Sequence, residues 1–240
     1  SAASDVYKRQ AHTSPQSIPC HGYSRWYMHM HVMGGFGFKC IIEKAGMGPA
    51  LTFGEARPVS SSMAKVIYYV ASSLDGFIAT EDNSLDWLLS FGFASFQDHY
   101  DSFIAGIGAI IMGAETYDWI RREQPGTWDY GELPCLVLTH RELQAPPGSG
   151  VRFVSGDPEP ILEEAMLHAG GKNVWVVGGG DVAAQFADAG LLDELWITYM
   201  PVALGTGRPL LPVRNPISGM HLVGTTSFNG GAAELRFARG

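Results

Sequence analysis

Three short segments place glycine or polar residues where a buried strand would run straight into a helix. The plainest is Val174-Trp-Val-Val-Gly178-Gly179-Gly180-Asp181-Val182. Without Cβ atoms, such a turn closes tightly and its backbone can come near a ligand. The free N–H groups at the start of the next helix then face that ligand, and an anion is favoured there. The triplet serves equally as a plain strand–helix turn, since it is neither GxGxxG nor a P-loop. Ile110-Ile-Met-Gly113-Ala114-Glu115-Thr116-Tyr117 repeats the logic: Gly113 permits close approach, and the Thr116 hydroxyl can meet a phosphate or cap the helix. Leu136-Val-Leu138-Thr139-His140-Arg141 is the third, with His140 and Arg141 suited to an extra phosphate or to an ordinary solvated loop. Together, three strand ends of this kind suit one ligand lying across the C-terminal edge of a sheet.

The elements that must position these turns alternate along the chain. Strand patterns occupy Val66–Ala71, Ala109–Met112, Cys135–Leu138, Val174–Val177, Leu195–Met200 and Leu222–Ser227. Helical spacing marks Ser95–Ala105 (Phe96, Tyr100, Phe103, Ile104), Thr116–Arg121, Pro158–Ala169 and Val182–Ala189, with Asp157 placed to cap the third. Asn229-Gly230-Gly231 is a hairpin turn into Ala233–Ala238. The alternation predicts an α/β fold: a mostly parallel mixed sheet, helices on both faces, and an antiparallel hairpin at its C-terminal end.

The first 62 residues read differently. They show no sustained periodicity and carry Pro15, Pro19, Pro49 and Pro58. Their formal charge is +3, against −8 for the whole chain. The opening Ser-Ala-Ala-Ser-Asp-Val-Tyr-Lys-Arg-Gln resembles translated adapter sequence, and Met63 opens a clean strand pattern. We expect residues 1–62 to be a non-native or disordered leader and 63–240 to be the folded domain. Cys20, His21, His29, Met30, His31 and Cys40 match no zinc spacing, so no metal is expected. Three widely spaced cysteines make no disulfide framework, which points to a cytoplasmic setting. The acidic balance excludes a general nucleic-acid or anionic-membrane binder, and no apolar run is long enough to span a bilayer.

At four places, in order, the residues resemble a known superfamily. Val176-Val-Gly-Gly-Gly-Asp-Val-Ala-Ala-Gln-Phe186 resembles the IGGG-x-V-x-x-x-F segment of dihydrofolate reductases, and Met112-Gly-Ala-Glu-Thr-Tyr117 their MGRxTW turn. Ala71-Ser-Ser-Leu-Asp-Gly76-Phe-Ile78-Ala resembles their first strand and the loop after it. Gly190-Leu-Leu-Asp193-Glu194-Leu and Pro201-Val-Ala-Leu-Gly205-Thr-Gly207-Arg-Pro-Leu are similar to another branch, the reductase domain of bacterial riboflavin biosynthesis and its stand-alone relatives.

The resemblance implies a dihydrofolate-reductase-like three-layer sandwich and an NADPH-dependent oxidoreductase. The implied substrate is a small heterocycle, pyrimidine- or pterin-like, or an imine, as for a 5-amino-6-(5-phosphoribosylamino)uracil reductase. The alternatives are a nucleotide-binding protein without turnover and a true dihydrofolate reductase. By resemblance, Gly178, Gly179, Gly180, Asp181 and Val182 line the pyrophosphate and nicotinamide side, and Gly113, Ala114, Glu115 and Thr116 hold the other phosphates. Leu138, Thr139 and His140 flank the adenosine, while Ala71 and Ile78 contact the nicotinamide. Ala114 stands where these reductases usually carry arginine, which moves the 2′-phosphate grip to Arg141. The helix that should carry a substrate carboxylate has no acid at the matching offset, leaving Asp98 and Asp101 as the nearest candidates to assist protonation and Asp86 farther off. Asp75 is expected to fix the turn at Asp75-Gly76. No zinc-deaminase signature accompanies these motifs. A homodimer is expected, from the relatives and from the apolar Val202, Leu204, Leu210 and Leu211.

The leader expectation has a direct test. A chain starting at Met63 should melt within about 5 °C of the full chain, a window of roughly 1–2 kcal/mol for a domain of this size. A larger drop, read by differential scanning calorimetry, would assign residues 1–62 a part in the fold.

Overall fold

Val66–Ser72 and Ile107–Gly113 are seven-residue runs buried at every position. Strands that are apolar on both faces fit only the middle of a sheet covered on both sides. The computed structural model describes residues 63–240, together with a short antiparallel ladder of β1 (Val32–Met33) and β2 (Gly37–Phe38). Apart from that ladder, the expectations for residues 1–62, including the cysteine and histidine cluster, lie outside the described residues.

In chain order the elements are β3 (Val66–Ser72), β4 (Phe77–Ala79), α1 (Asp86–Leu89), α2 (Gln97–Ala105), β5 (Ile107–Gly113), α3 (Ala114–Glu123), β6 (Cys135–Leu138) and β7 (Val151–Val154). There follow α4 (Pro158–Ala169), β8 (Asn173–Gly178), α5 (Gly180–Asp188), β9 (Glu194–Tyr199), β10 (Arg208–Pro209), β11 (Met220–Ser227) and β12 (Ala233–Arg239). Eight strands form one sheet in the order β11-β12-β9-β3-β8-β5-β6-β7. The run from β9 to β7 is parallel, and β12 and β11 join antiparallel. One face packs Ile161, Leu162 and Ala165 of α4 and Ala183, Phe186 and Ala187 of α5. The other packs Tyr100 and Phe103 of α2 and Tyr117, Trp119 and Ile120 of α3. This is the expected three-layer, mostly parallel mixed sheet with a C-terminal antiparallel hairpin.

Several details depart from the sequence reading. β7 and the small antiparallel pair β4–β10 were not anticipated. Asp157 occupies the N-cap of α4 but makes no side-chain cap hydrogen bond, and Gly170 ends the helix in the left-handed conformation at φ 60°. Val202, Leu210 and Leu211, expected as interface surface, are partly buried against the core clusters. Among the described residues the exposed large apolar side chains include Leu74 and Leu167 and, as neighbours on the edge strand β11, Leu222 (55% exposed) and Val223 (59%). Among the described residues no helix is long and apolar enough to cross a membrane.

Asp75 does more than shape its own turn. Its carboxylate accepts hydrogen bonds from Ser73 Oγ (2.6 Å) and from the amides of Leu204 (3.0 Å) and Gly205 (2.6 Å), tying the loop after β3 to the segment before β10. The Ser73 hydroxyl first, then the two amides, lower its pKa from 3.8 to about 2. A lowered folded-state pKa stabilises the fold above the unfolded value, and that contribution is lost as pH falls through about 2. Between pH 5 and 2 the melting temperature of the parent should therefore fall more steeply than that of Asp75→Asn. Parallel curves for the two proteins would show that the tie carries no stability.

Candidate active site

Two helices begin directly at the C-terminal ends of adjacent central strands: α3 after β5 and α5 after β8. Their N-caps are Gly113 and Gly179, and neither has a side-chain cap. In α5 the first internal bonds run from the Val182 and Ala183 amides to Gly179 O. The amides of Gly180 and Asp181 precede them and have no acceptor inside the helix. Thr116 therefore does not cap α3; its Oγ1 lies on the far side of the turn, 3.7 Å from where a Cβ on Gly178 would sit.

The three glycines of the β8–α5 turn have different jobs. Gly178 adopts φ 149°, a region that L side chains avoid, and the Gly178–Gly179 peptide is cis. Gly180 is demanded by the chain itself: a Cβ there would lie 2.2 Å from Pro209 O and 2.9 Å from Leu210 O. That neighbouring segment is pinned by Tyr68 Oη donating to Leu210 O (2.8 Å) and by the Leu210 amide donating to Gly76 O (2.9 Å). Burial, and then the nearby charge of Asp181, push the Tyr68 hydroxyl pKa upward, so it remains a donor. Gly179 differs from both, because the atom nearest to a Cβ there is Ile78 Cδ1 at 4.0 Å. Among the described residues nothing crowds a Cβ at this position, whereas a ligand against the backbone would.

A cleft of about 280 Å³ opens over these turns. It brings together Gly113, Ala114 and Glu115 from the β5–α3 turn and Leu138, Thr139 and His140 from the end of β6. Gly179, Asp181 and Val182 line it from α5, and Ser155, Gly156 and Gln185 join them. Ser155 and Gly156 stand just before α4, so a third helix start faces the same space. Other expected residues lie apart from the lining. Gly178 and Gly180 are buried in the turn, and Ile78 sits behind Gly179. Ala71 is buried at the end of β3 among Leu88, Phe96, Met200 and Ala232. Arg141 is exposed and paired with Asp118 at 2.6 Å, and its amide donates to Thr139 Oγ1 (2.9 Å). A 2′-phosphate could use Arg141 only in exchange for that carboxylate. Uncapped helix starts and close backbone fit the phosphates of a dinucleotide, although Glu115 and Asp181 in the first turns favour contacts through amides rather than through charge.

The acids expected to assist protonation, Asp98 and Asp101, are both exposed on α2. The Asp98 carbonyl accepts from Ser102 Oγ (2.8 Å), and Asp101 Oδ1 accepts from Gln97 Nε2 (2.8 Å). The residue between them, His99, turns inward and hydrogen-bonds Glu234 at 2.8 Å. Its signal was present in the sequence, since His99 shares the i, i+3, i+4, i+7 stripe of Phe96, Tyr100 and Phe103. Among the described residues no cluster of His, Cys, Asp or Glu could hold a metal ion.

Comparison with known proteins agrees with this architecture. The family model of the RibD C-terminal domain matches residues 64–232. The uncharacterized protein YwjB of Bacillus subtilis is 31% identical over 175 residues, covering 73% of this chain and 98% of that protein. The riboflavin biosynthesis protein RibD of Corynebacterium ammoniagenes is 26% identical over 62% of this chain and 47% of its own length. A structure from Shewanella sp. PV-4, whose name assigns it to riboflavin biosynthesis, superposes with a TM-score of 0.64 at 25% identity, covering 73% of this chain and 99% of that one. Dihydrofolate reductase from Enterococcus faecalis, solved with NADP(H), shares the fold at TM-score 0.53 and 17% identity, over 73% of this chain and 96% of that one. The chain belongs to the RibD C-terminal domain family.

Proposed function

We propose that this chain is an NADPH-dependent reductase. Its substrate would be a small pyrimidine- or pterin-like heterocycle or an imine, in the manner of 5-amino-6-(5-phosphoribosylamino)uracil reductase. The observation that carries the proposal is the meeting of uncapped helix starts over one cleft, with Gly179 left open to a ligand. The amides of Gly180 and Asp181 and those at Ala114–Thr116 would hold the phosphates beside Val182, Leu138–His140 would flank the adenosine, and Ala71 and Ile78 would face the nicotinamide. When bound, the cofactor supplies hydride, and the protein orients it and keeps water away. The Thermotoga maritima member of the fold is named as a deaminase and 5-amino-6-(5-phosphoribosylamino)uracil reductase, which is consistent with this substrate class. A buried, unpaired Cys135 suits a cytoplasmic setting.

Two glycines separate the ligand reading from a purely structural one. Gly179→Ala should fold normally and bind NADPH roughly 10- to 1000-fold more weakly, for one or two lost charge-assisted hydrogen bonds. Gly180→Ala should instead unfold at lower temperature, because its methyl group meets two backbone carbonyls. Fluorescence titration with NADPH and NADH, with circular dichroism as the folding control, reads both effects. A folded Gly179→Ala that binds NADPH as tightly as the parent removes the site assignment. Substrate-dependent loss of NADPH absorbance then distinguishes a reductase from a protein that only binds nucleotide.

We also propose a homodimer, now through the exposed edge of β11 at Leu222 and Val223 rather than through residues 202–211. Light scattering at micromolar concentration should give twice the chain mass, and Leu222→Glu should return it to one. A monomeric parent rules the dimer out.

A further inference from the structure

On the opposite sheet face from α5, one row of paired residues crosses three strands. Ala71 on β3 pairs with Thr198 on β9, and Thr198 pairs with Glu234 on β12. Directly paired residues share a face, and neighbouring strands are about 4.8 Å apart. Glu234 therefore stands two strands, roughly 10 Å, from Ala71, the residue placed by resemblance against the nicotinamide.

The Glu234 side chain is 0% exposed and held by two partners, Arg236 and His99. Arg236 Nε donates to Oε1 at 2.6 Å, and His99 Nε2 meets Oε2 at 2.8 Å. Burial alone would raise the Glu234 pKa, but the hydrogen bonds and charges of His99 and Arg236 outweigh it and hold the carboxyl below the usual range. The carboxylate at 2.8 Å, closer than Arg236 Nη2 at 3.3 Å, favours a proton on Nε2. That leaves Nδ1 as the nitrogen with no partner among the described residues, on a side chain still 16% exposed. The other groups facing the imidazole are Arg236, whose guanidinium lies 3.9 Å from the Trp196 ring, and Tyr69. Trp196 in turn donates to Glu194, the ion-pair partner of Lys65.

The wall between His99 and Ala71 is apolar and holds an orphaned donor. Phe228 stacks edge-on against His99 at 5.2 Å and packs on the cluster that contains Ala71. Trp87 belongs to that cluster, and its buried Nε1–H has no acceptor. Such a donor suits a carbonyl or ring nitrogen of a flat heterocycle.

We propose that His99, held by Glu234, is the acid that protonates the substrate during reduction. The proposal rests on the reductase reading above. Hydride from the dihydronicotinamide, which is thereby oxidised, adds to the carbon of a C=N bond. The π pair of that bond moves to nitrogen, and the nitrogen takes the proton of His99 Nδ1. The imidazole is left neutral with its Nε2–H still on Glu234, and solvent returns the proton through the exposed side. His99 is then a catalytic residue, Glu234 a positioning residue, and Asp98 and Asp101 take no part.

The test uses the full chain with NADPH and two probes, 5-amino-6-(5-phosphoribosylamino)uracil and 7,8-dihydrofolate. The parent kcat should fall with rising pH, as for a reaction that needs a general acid. His99→Gln should lower kcat by about 100-fold or more and erase that dependence, while NADPH affinity by fluorescence stays within threefold. Glu234→Gln should move the pH profile without changing NADPH affinity. If the parent turns over either probe and folded His99→Gln keeps its kcat and pH profile, the proposal is overturned and the reductase reading stands. If the parent consumes NADPH with neither probe, the reading falls and the proposal with it. If His99→Gln does not fold, nitrogen NMR of the parent decides. The neutral imidazole must carry its proton on Nε2 and titrate together with kcat; a proton on Nδ1 overturns the assignment.

Discussion

Burial of β3, β8 and β5 on both faces governs the rest of the molecule. Val66–Ala71, Ala109–Met112 and Val174–Val176 leave no side of the sheet for water, so helices must cover both faces. Parallel neighbours cannot be joined by a tight turn, and the crossovers pass through those helices except at β6–β7, which residues 139–150 join without one. In consequence α3, α4 and α5 all begin at the same edge of the sheet, with their amide-rich ends side by side. The cleft at Gly113, Gly156 and Gly179 follows from that arrangement before any ligand is considered. An acidic chain can thus offer an anion site with His140 as the one basic side chain among the lining residues.

The other end of the sheet obeys a different constraint. β12 and β11 run antiparallel, and polar groups can reach the face under α2 there. Glu234 stands where burial is complete, and such a charge survives only when its oxygens are matched. Both are, by residues from two elements far apart in sequence. The cleft at the helix starts is built largely from backbone, whereas this second cluster is built from side chains. At the C-terminal end of β3, Ala71 lies in line with Glu234 through Thr198.

Much of this could be read in the sequence, and what escaped has identifiable physical causes. β5 and β8 are apolar throughout and end in glycine, which is a strong local signal, and their extents agree within two residues. The C-terminal hairpin was equally plain from Asn229-Gly230-Gly231. β7 was not, because Val-Arg-Phe-Val is four residues long and follows a stretch rich in proline and glycine. Ser155 and Gly156 consequently went unread as cleft residues. β4 and β10 are three and two residues long and exist only through each other. His99 and Glu234 are 135 residues apart, and although the helical stripe turns His99 inward, nothing in the sequence joins it to Glu234. Only the fold shows them to be a pair. Asp98 and Asp101 share the helix of His99, and its turn places both in solvent.

Cys135 opens β6 with its thiol fully buried and its pKa pushed upward by that burial. A thiol attacks alkylating or disulfide reagents as the thiolate, so in the intact sheet this one is inert on two counts. It is also the single cysteine beyond residue 62. In a chain starting at Met63, the rate of thiol labelling would report how often β6 leaves its neighbours β5 and β7. The strand that ends at the cleft thus carries its own clock for opening of the sheet, readable without introducing a new side chain.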